Sequence, residues 1–437
     1  MCPEPSARLA RAHASRIFLG IAVAAAVPAC GGSPSRPTIC TDGMAVDAWV
    51  SDARYCVYTF ASGLGGARQM AFAPNGDLFV NNGKVTVLSD DDHNGASAGA
   101  ERATFATAPG LNHGLAFSRD GSYVYASSAT TVYRWGYTTG LRKATGQPEV
   151  VVSGIPGGGH ATRTLVFDSQ GRLYVSVGSA SNVDEDPVLV HTRAQIRRFP
   201  IPDALPAAGI DYAAGEIVAT GMRNEVGLYA DAQDRLWGVE NGRDDLMDGG
   251  DIHNSNPAEE VNLIDGTGSR YYGYPSCYTE FMRPGGNGPG TQWADPTLAP
   301  ADLKTDAWCR APANVHPPAF ALPAHWAPLG IIEYQGDTLP LGGDLIVTSH
   351  GSWDTTPLVG RVVVRLHRSG DAITGFEPLV GERGPDNRLR QGQWNARPVD
   401  VREGPDGALY FSDDTGGRVF KVTLAPAEVP GGAATTR

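Results

Sequence analysis

The sequence predicts an all-β fold, a six-bladed β-propeller with four-stranded antiparallel blades, and three observations carry that prediction. The 437 residues include 55 Gly and 32 Pro, which favours turns over long helices, while the 41% hydrophobic content still supplies a core. A short unit recurs six times: an apolar residue, a turn carrying Gly or Asp/Asn, then an apolar strand. From Gly76 to Gly121 to Gly171 the unit returns after 45 and then 50 residues, the period of a four-stranded blade.

Taken in order, the units are "FAPNGDLFV" (72–80), "FSRDGSYVY" (117–125), "FDSQGRLYV" (167–175), "YADAQDRLWGV" (229–239), "LPLGGDLIVTS" (339–349) and "EGPDGALYFS" (403–412). Each reads as a hairpin by its own chemistry. Asn-Gly, Asp-Gly or Gln-Gly supplies the turn, and β-branched or aromatic residues supply the strands. The last unit, near 410, is expected to pair with a strand near residue 57 and so close the ring. The stretch 240–330 reads mostly as Gly/Pro/Asn-rich loop, and its part between 275 and 325 is expected to shape substrate choice. These readings place the propeller at 57–425, ahead of a C-terminal tail at 426–437.

Upstream of the propeller, residues 1–29 read as an export signal of the lipoprotein type and 30–56 as a tether and N-terminal segment. Arg8, Arg11 and Arg16 precede the apolar run "IFLGIAVAAAV" (17–27), which is too short to span a bilayer. The following "PACGGSPS" resembles a bacterial lipobox, in which Cys30 takes the lipid; cleavage by an ordinary signal peptidase is the alternative. The expected location is therefore periplasmic or cell-surface, with the membrane reached only through Cys30. With Cys2 in the signal and Cys30 as anchor, Cys40, Cys56, Cys277 and Cys309 remain, and they allow three pairings. Proximity favours 40–56 and 277–309. A net charge of −12 argues against nucleic acid or an anionic membrane surface as partner.

Propellers carry their chemistry on loops at one end of the channel, so the residues flanking each hairpin are the ones to inspect. His160 ends the glycine run "GGGH" before the third hairpin, and Arg223-Asn224 holds the corresponding place before the fourth. Asn241, Gly242 and Arg243 leave the fourth hairpin toward the channel mouth, where Gly242 lets backbone carbonyls approach a ligand or cation closely. His350 follows the fifth hairpin, Arg397 precedes the sixth, and Asn112 and His113 precede the second. Separately, "DDDHNGASAGAE" matches a calcium loop at Asp90, Asp92, Asn94, Gly95 and Glu101. With no helices flanking it, this predicts a structural calcium rather than a sensor.

These segments, together with "GMRNEVGLY", "VENGRDD", "EEVNLI", "YYGYPSCY", "AHWAPLGIIEYQGD", "TSHGSW", "RPVDV" and "SDDTGGRVFKV", resemble the pyrroloquinoline quinone (PQQ)-dependent glucose/sorbosone dehydrogenases. The similarity runs from about residue 57 to 425 and is strongest to the L-sorbosone dehydrogenase-like branch. It implies PQQ lying flat across the channel mouth with Ca²⁺ bound to it, and oxidation of an aldose or sugar-derived aldehyde by hydride transfer. It further implies a periplasmic electron acceptor, a cytochrome or a quinone.

The resemblance also assigns roles. His160 matches the catalytic base, Arg223 the arginine facing the quinone oxygen, and Asn224 a neighbouring cofactor contact. Gly242 and Arg243 match the backbone ligands of the PQQ calcium, and Arg397 an arginine that grips a PQQ carboxylate. The departures from the glucose-oxidising branch are Ser179 where an aspartate orients the base, His350 for a lysine, Val399 for a second arginine, and Asn112 near a lost glutamine. Two alternatives stand beside this reading: a non-catalytic propeller that binds carbohydrate or protein, and a calcium-dependent propeller lactonase. The lactonase would need a carboxylate-rich metal shell in the channel.

Overall fold

Five of the six turn units fold into the inner pair of strands of a blade, and the fifth in order supplies one strand of its pair. The computed structural model describes residues 40, 44–185, 192–266, 270–298 and 304–425. Blade one begins with Met70–Phe72 and Leu78–Asn81, blade two with Leu111–Phe117 and Tyr123–Ser128, and blade three with Leu165–Phe167 and Arg172–Val177. Glu225–Ala230 and Leu236–Glu240 open blade four, Pro328–Glu333 and Leu345–Ser349 blade five, and Pro398–Glu403 and Leu409–Asp413 blade six. Two further antiparallel strands complete each blade, and the innermost strands touch their neighbours in a closed circle.

The ring closes as the sequence predicts, through a strand near residue 57. Tyr55–Ala61 pairs antiparallel with Arg418–Leu424, setting Val57 opposite Val422, so blade six is built from both ends of the propeller. Burial is organised by seams. Six hydrophobic clusters each join two adjacent blades, as Phe79, Val87 and Phe105 of blade one meet Leu115, Val124 and Trp135 of blade two. A strand packed on both faces reads as continuous rather than alternating apolar sequence. "LFV" (78–80) and "LIV" (345–347) show this pattern, with every residue buried.

The structure corrects the sequence reading at several points. The stretch 240–330 is mostly loop, as read, but it also holds strands that were not foreseen: Glu259–Ile264 and Phe320–Leu322 complete blade four, with shorter pairs at Arg270–Tyr271 and Cys277–Thr279. The first strand of the fifth hairpin is Pro328–Glu333, well ahead of the Gly-Gly turn. The propeller also starts earlier than 57. Its ring strand begins at Tyr55, and Ala48–Val50, within the segment read as tether, pairs with Ala372–Arg383 on the edge of blade five. Cys40 pairs with Cys56 and Cys277 with Cys309, the pairing that proximity favours. The export signal, Cys30 and the tail 426–437 lie outside the described residues. Among those described, no helix is long and apolar enough to cross a membrane.

Candidate functional site

Opposite the hairpin turns, the loops of blades three to six enclose an open cavity of about 210 Å³. Its wall brings together His160, Arg223, Asn224, Gly242, His350 and Arg397, residues that lie far apart in sequence.

The loop carrying His160 lies directly on the chain at Ser179–Ala180. Gly159 has a positive φ of 57°, and a Cβ there would stand 2.3 Å from Ala180 Cα, so only glycine fits. The backbone N–H of His160 donates to Ser179 O at 3.0 Å, and its Nδ1 lies 3.0 Å from both Ser179 O and Ser179 Oγ. Because the Ser179 hydroxyl donates to Ser181 O at 2.7 Å, Nδ1 faces two acceptors and must carry the proton. Nε2 is thereby left with its lone pair on a side chain that lines the cavity. Ser179 thus holds the imidazole in the tautomer a general base needs, through neutral contacts.

Burial, and next the positive charge of Arg223, lower the His160 pKa to about 4 from its usual 6.5. The unfolded chain takes up the proton first as pH falls. The stability contributed by neutral His160 is therefore complete above 6.5 and is lost as pH drops from 6.5 through about 4. The base form persists over the same range. A profile of kcat/KM against pH is expected to show its acid limb near 4, with no inflection at 6.5. An inflection near 6.5 would place His160 in a solvated setting instead.

Arg223 is buried and satisfied on every side. Nη1 donates to Gly242 O at 2.6 Å, Nε to Asn182 O at 3.0 Å, and Nη2 reaches Asp244 Oδ2 at 2.9 Å. Asn224 Nδ2 donates to Asn241 Oδ1 at 3.3 Å. Gly242 is glycine because a Cβ would stand 2.8 Å from Pro257 Cγ and 2.9 Å from Ala258 O; its N–H donates to Glu259 Oε2 at 2.7 Å. Burial raises the carboxyl of Glu259 to about 8 and also raises that of Asp244.

His350 and Arg397 form the opposite wall. His350 Nε2 donates to Asp414 Oδ1 at 2.9 Å, and Asp414 Oδ2 pairs with Arg68 at 2.6 Å. Burial lowers the His350 pKa, with Asp414 partly offsetting it. Arg397 rests on backbone carbonyls, Nε on His350 O at 2.9 Å and Nη2 on Gly351 O at 2.7 Å. Among the described residues no carboxylate pairs with Arg397, nor with Arg361 beside it, whose buried Nε has no partner.

Other residues singled out from sequence stand elsewhere. Asn112 does not line the cavity; its Nδ2 donates to Ala161 O at 2.8 Å, bracing the His160 loop, and its buried Oδ1 has no partner. His113 is buried, accepts from Arg68 Nε at 3.1 Å and sits 3.1 Å from Thr164 Oγ1, so its role is structural. The Arg243 side chain turns away from the cavity onto Asp295 at 2.7 Å. Val399 packs with Val226 and Leu329 in a small apolar plug on the inner strands. Of the stretch 275–325, His325 is the described residue that lines the cavity; the rest of the wall comes from Glu259 and the loops at 241–244 and 350–353.

The acidic loop 90–101 follows Val85–Leu88 at the hairpin end of blade one, away from the cavity. Carboxylate oxygens of Asp90, Asp92 and Glu101 lie within 4.8 Å of one another. Asp90 also accepts from the Gly95 N–H, Glu101 accepts from the N–H groups of Asp91, Asp92 and Ala98, and Asn94 bonds to Asp92.

Sequence reasoning missed Asp244, Glu259, His325 and Trp353 on the cavity wall, and Arg163 beneath the His160 loop. Trp353 and His325 sit inside the quoted segments "TSHGSW" and "AHWAPLG". The donor set fits an anionic, planar, cation-chelating cofactor. The guanidinium of Arg397, with no carboxylate partner among the described residues, stands at one wall, and the carbonyl of Gly242 with the acids Asp244 and Glu259 stands at the other.

The chain matches the TrAA12-like family model over residues 50–425. A pyrroloquinoline quinone-dependent sugar dehydrogenase of Hypocrea jecorina is 32% identical over 384 residues, covering 82% of this chain and 86% of that protein. A pyrroloquinoline quinone-dependent pyranose dehydrogenase of Coprinopsis cinerea is 32% identical over 348 residues, covering 71% of this chain, which spans 46% of that protein's length. The holo PQQ domain of the Coprinopsis cinerea pyranose dehydrogenase matches in structure with a TM-score of 0.75 at 29% identity, over 86% of this chain and 97% of that one. A calcium structure of a family AA12 enzyme of Trichoderma reesei matches with the same TM-score, identity and coverage.

Proposed function

The chain belongs to the TrAA12-like family, and from that premise we propose that it is a PQQ- and calcium-dependent dehydrogenase of a sugar, either an aldose or a sorbosone-like aldehyde. The observation that carries the proposal is His160, whose Nδ1 is engaged by Ser179 so that Nε2 is left as acceptor on the cavity wall. When bound, PQQ supplies the two-electron acceptor for hydride leaving the sugar carbon; the remaining tasks fall to the chain.

His160 Nε2 takes the proton from the substrate hydroxyl, or from the hydrate of an aldehyde. A neutral imidazole is ready for this at any pH above about 4. The Arg223 guanidinium lines the cavity beside it, where it would face developing negative charge, with Asn224 as a neighbouring donor. Arg397 offers its forked guanidinium to a cofactor carboxylate, with no carboxylate rival among the described residues. His350 is held by Asp414 at the same wall. The carbonyls of Gly242 and Arg243 are the groups that would hold the calcium of the cofactor, Gly242 O also accepting from Arg223 Nη1. Trp353, 70% exposed on the rim, presents an aromatic face to a sugar ring. The loop at Asp90, Asp92, Asn94 and Glu101 takes a separate, structural calcium.

The proposal extends to an exported protein anchored at Cys30 that hands its electrons to a periplasmic cytochrome or quinone. Reconstitution tests the core of it. Purified protein given PQQ and Ca²⁺ is expected to reduce a dye in the presence of an aldose or sugar aldehyde, and to need both additions. Failure of PQQ to bind, followed by its absorbance, would overturn the reading and leave a non-catalytic propeller.

A further inference from the structure

At the rim of the cavity, side chains from three loops converge. Asp244 follows strand Leu236–Glu240, His325 precedes Pro328–Glu333, and Asp354 follows Leu345–Ser349. One ligand atom from each lies within 4.8 Å of the other two. None of the three belongs to the backbone-carbonyl calcium position at Gly242 or to the acidic loop at 90–101.

The histidine gives the cluster its direction. His325 is only 7% exposed, and its Nε2 lies 2.6 Å from His253 O, an acceptor that fixes the proton on Nε2. Nδ1 therefore carries a lone pair, has no hydrogen-bond partner among the described residues, and points at Asp244 Oδ1 across 3.9 Å. That distance is too long for a hydrogen bond and suits two ligands of one ion. Asp244 has its other oxygen, Oδ2, on Arg223. Asp354 Oδ2 accepts from the Asp245 N–H at 3.0 Å, which turns this carboxylate toward the same loop.

We propose that Asp244, His325 and Asp354 form a divalent transition-metal site at the cavity rim. One imidazole nitrogen with two carboxylates suits Mn²⁺, Co²⁺ or Zn²⁺, whereas calcium prefers an all-oxygen shell. Asp244 and His325 also line the cavity, so the remaining coordination positions face it and take water or hydroxyl oxygens. The ion ties the rims of blades four and five together. The Asp244 carboxylate bridges it to Arg223, so occupancy is felt by the arginine beside His160.

The test uses the full chain, stripped of metal and free of PQQ, so that it is independent of the cofactor reading. Asp92→Asn is introduced throughout to remove the acidic loop as a competitor. Binding of Mn²⁺ is followed by loss of the free-ion electron paramagnetic resonance signal, and Co²⁺ by its visible d–d bands. One ion per chain is expected, unaffected by equimolar Ca²⁺ and weakened at least about tenfold by either His325→Gln or Asp354→Asn. Circular dichroism checks that the variants are folded, and Asp354, at the surface, serves if His325→Gln is not. Absence of binding would overturn the proposal. So would unchanged affinity in both variants, or loss in Asp354→Asn with none in a folded His325→Gln, since a site of carboxylates alone is not the one proposed.

Discussion

Alanine at position 160 is expected to lower PQQ- and calcium-dependent dye reduction by about 10²–10⁴-fold, the usual contribution of a positioned general base. The loss should fall on kcat, with KM changing little, because the imidazole acts on a proton in flight rather than on ground-state binding. The fold should survive, since His160 is only part-buried and its loop is held by other contacts. Steady-state kinetics with a titration of PQQ absorbance separates the cases. A variant that binds PQQ normally and turns over at the parental rate would remove His160 from the chemistry. Ser179→Asp offers a finer check: a carboxylate near Nδ1 stabilises the imidazolium and should move the acid limb upward from about 4.

Arg163→Met carries the second large effect. Arg163 is wholly buried and grips the loop from beneath, donating to Ala129 O at 3.0 Å, Pro156 O at 2.8 Å, and His160 O and Thr162 O at 2.6 Å each. Burial lowers its pKa to about 10, which still leaves it charged at neutral pH. Removing it leaves four carbonyls of part-buried residues without their donor, and a destabilisation of about 1–3 kcal/mol is expected, since water can reach some of these acceptors once the loop relaxes. A fall of several degrees in Tm should accompany a drop in kcat of at least about tenfold at 25 °C, where the rest of the propeller is intact. Arg163→Lys should be intermediate, because one ammonium cannot span four acceptors. Unchanged kcat in a folded Arg163→Met would show that the loop needs no such support.

The fold was legible because its repeating element is local. A Gly or Asp/Asn turn between apolar runs declares a hairpin in nine or so residues, and the seams require those runs to be apolar on both faces. Where a blade departs from that grammar it went unread. Glu259–Ile264 opens with two acids whose burial depends on partners elsewhere: Glu259 bonds to the amides of Gly242 and Ala327, and Glu260 to Thr279. Pro328–Glu333 stands too far from its Gly-Gly turn to look like half of a hairpin. At the site, His160, Arg223 and Arg397 were visible from position and resemblance, and the structure gathers them on one wall system. Arg163 and His325 were not, because the acceptors that define them are backbone carbonyls, which no side-chain pattern reveals. Asn112 was placed one layer too near the cavity for the same reason, its partner being Ala161 O.

The seam between Tyr55–Ala61 and Arg418–Leu424 has a mechanical consequence. Tension applied to the chain upstream of Cys40 does not travel through residues 41–55, because the disulfide carries it straight from Cys40 to Cys56, at the start of the ring strand. Ala48–Val50 lies within the bypassed length and stays unloaded on the edge of blade five. Force therefore bears on the strand that shuts the ring, and the rate at which that strand parts from its neighbour sets how long the ring survives a pull. In the reduced chain the same pull first peels Ala48–Val50 away, adding slack before the ring is strained.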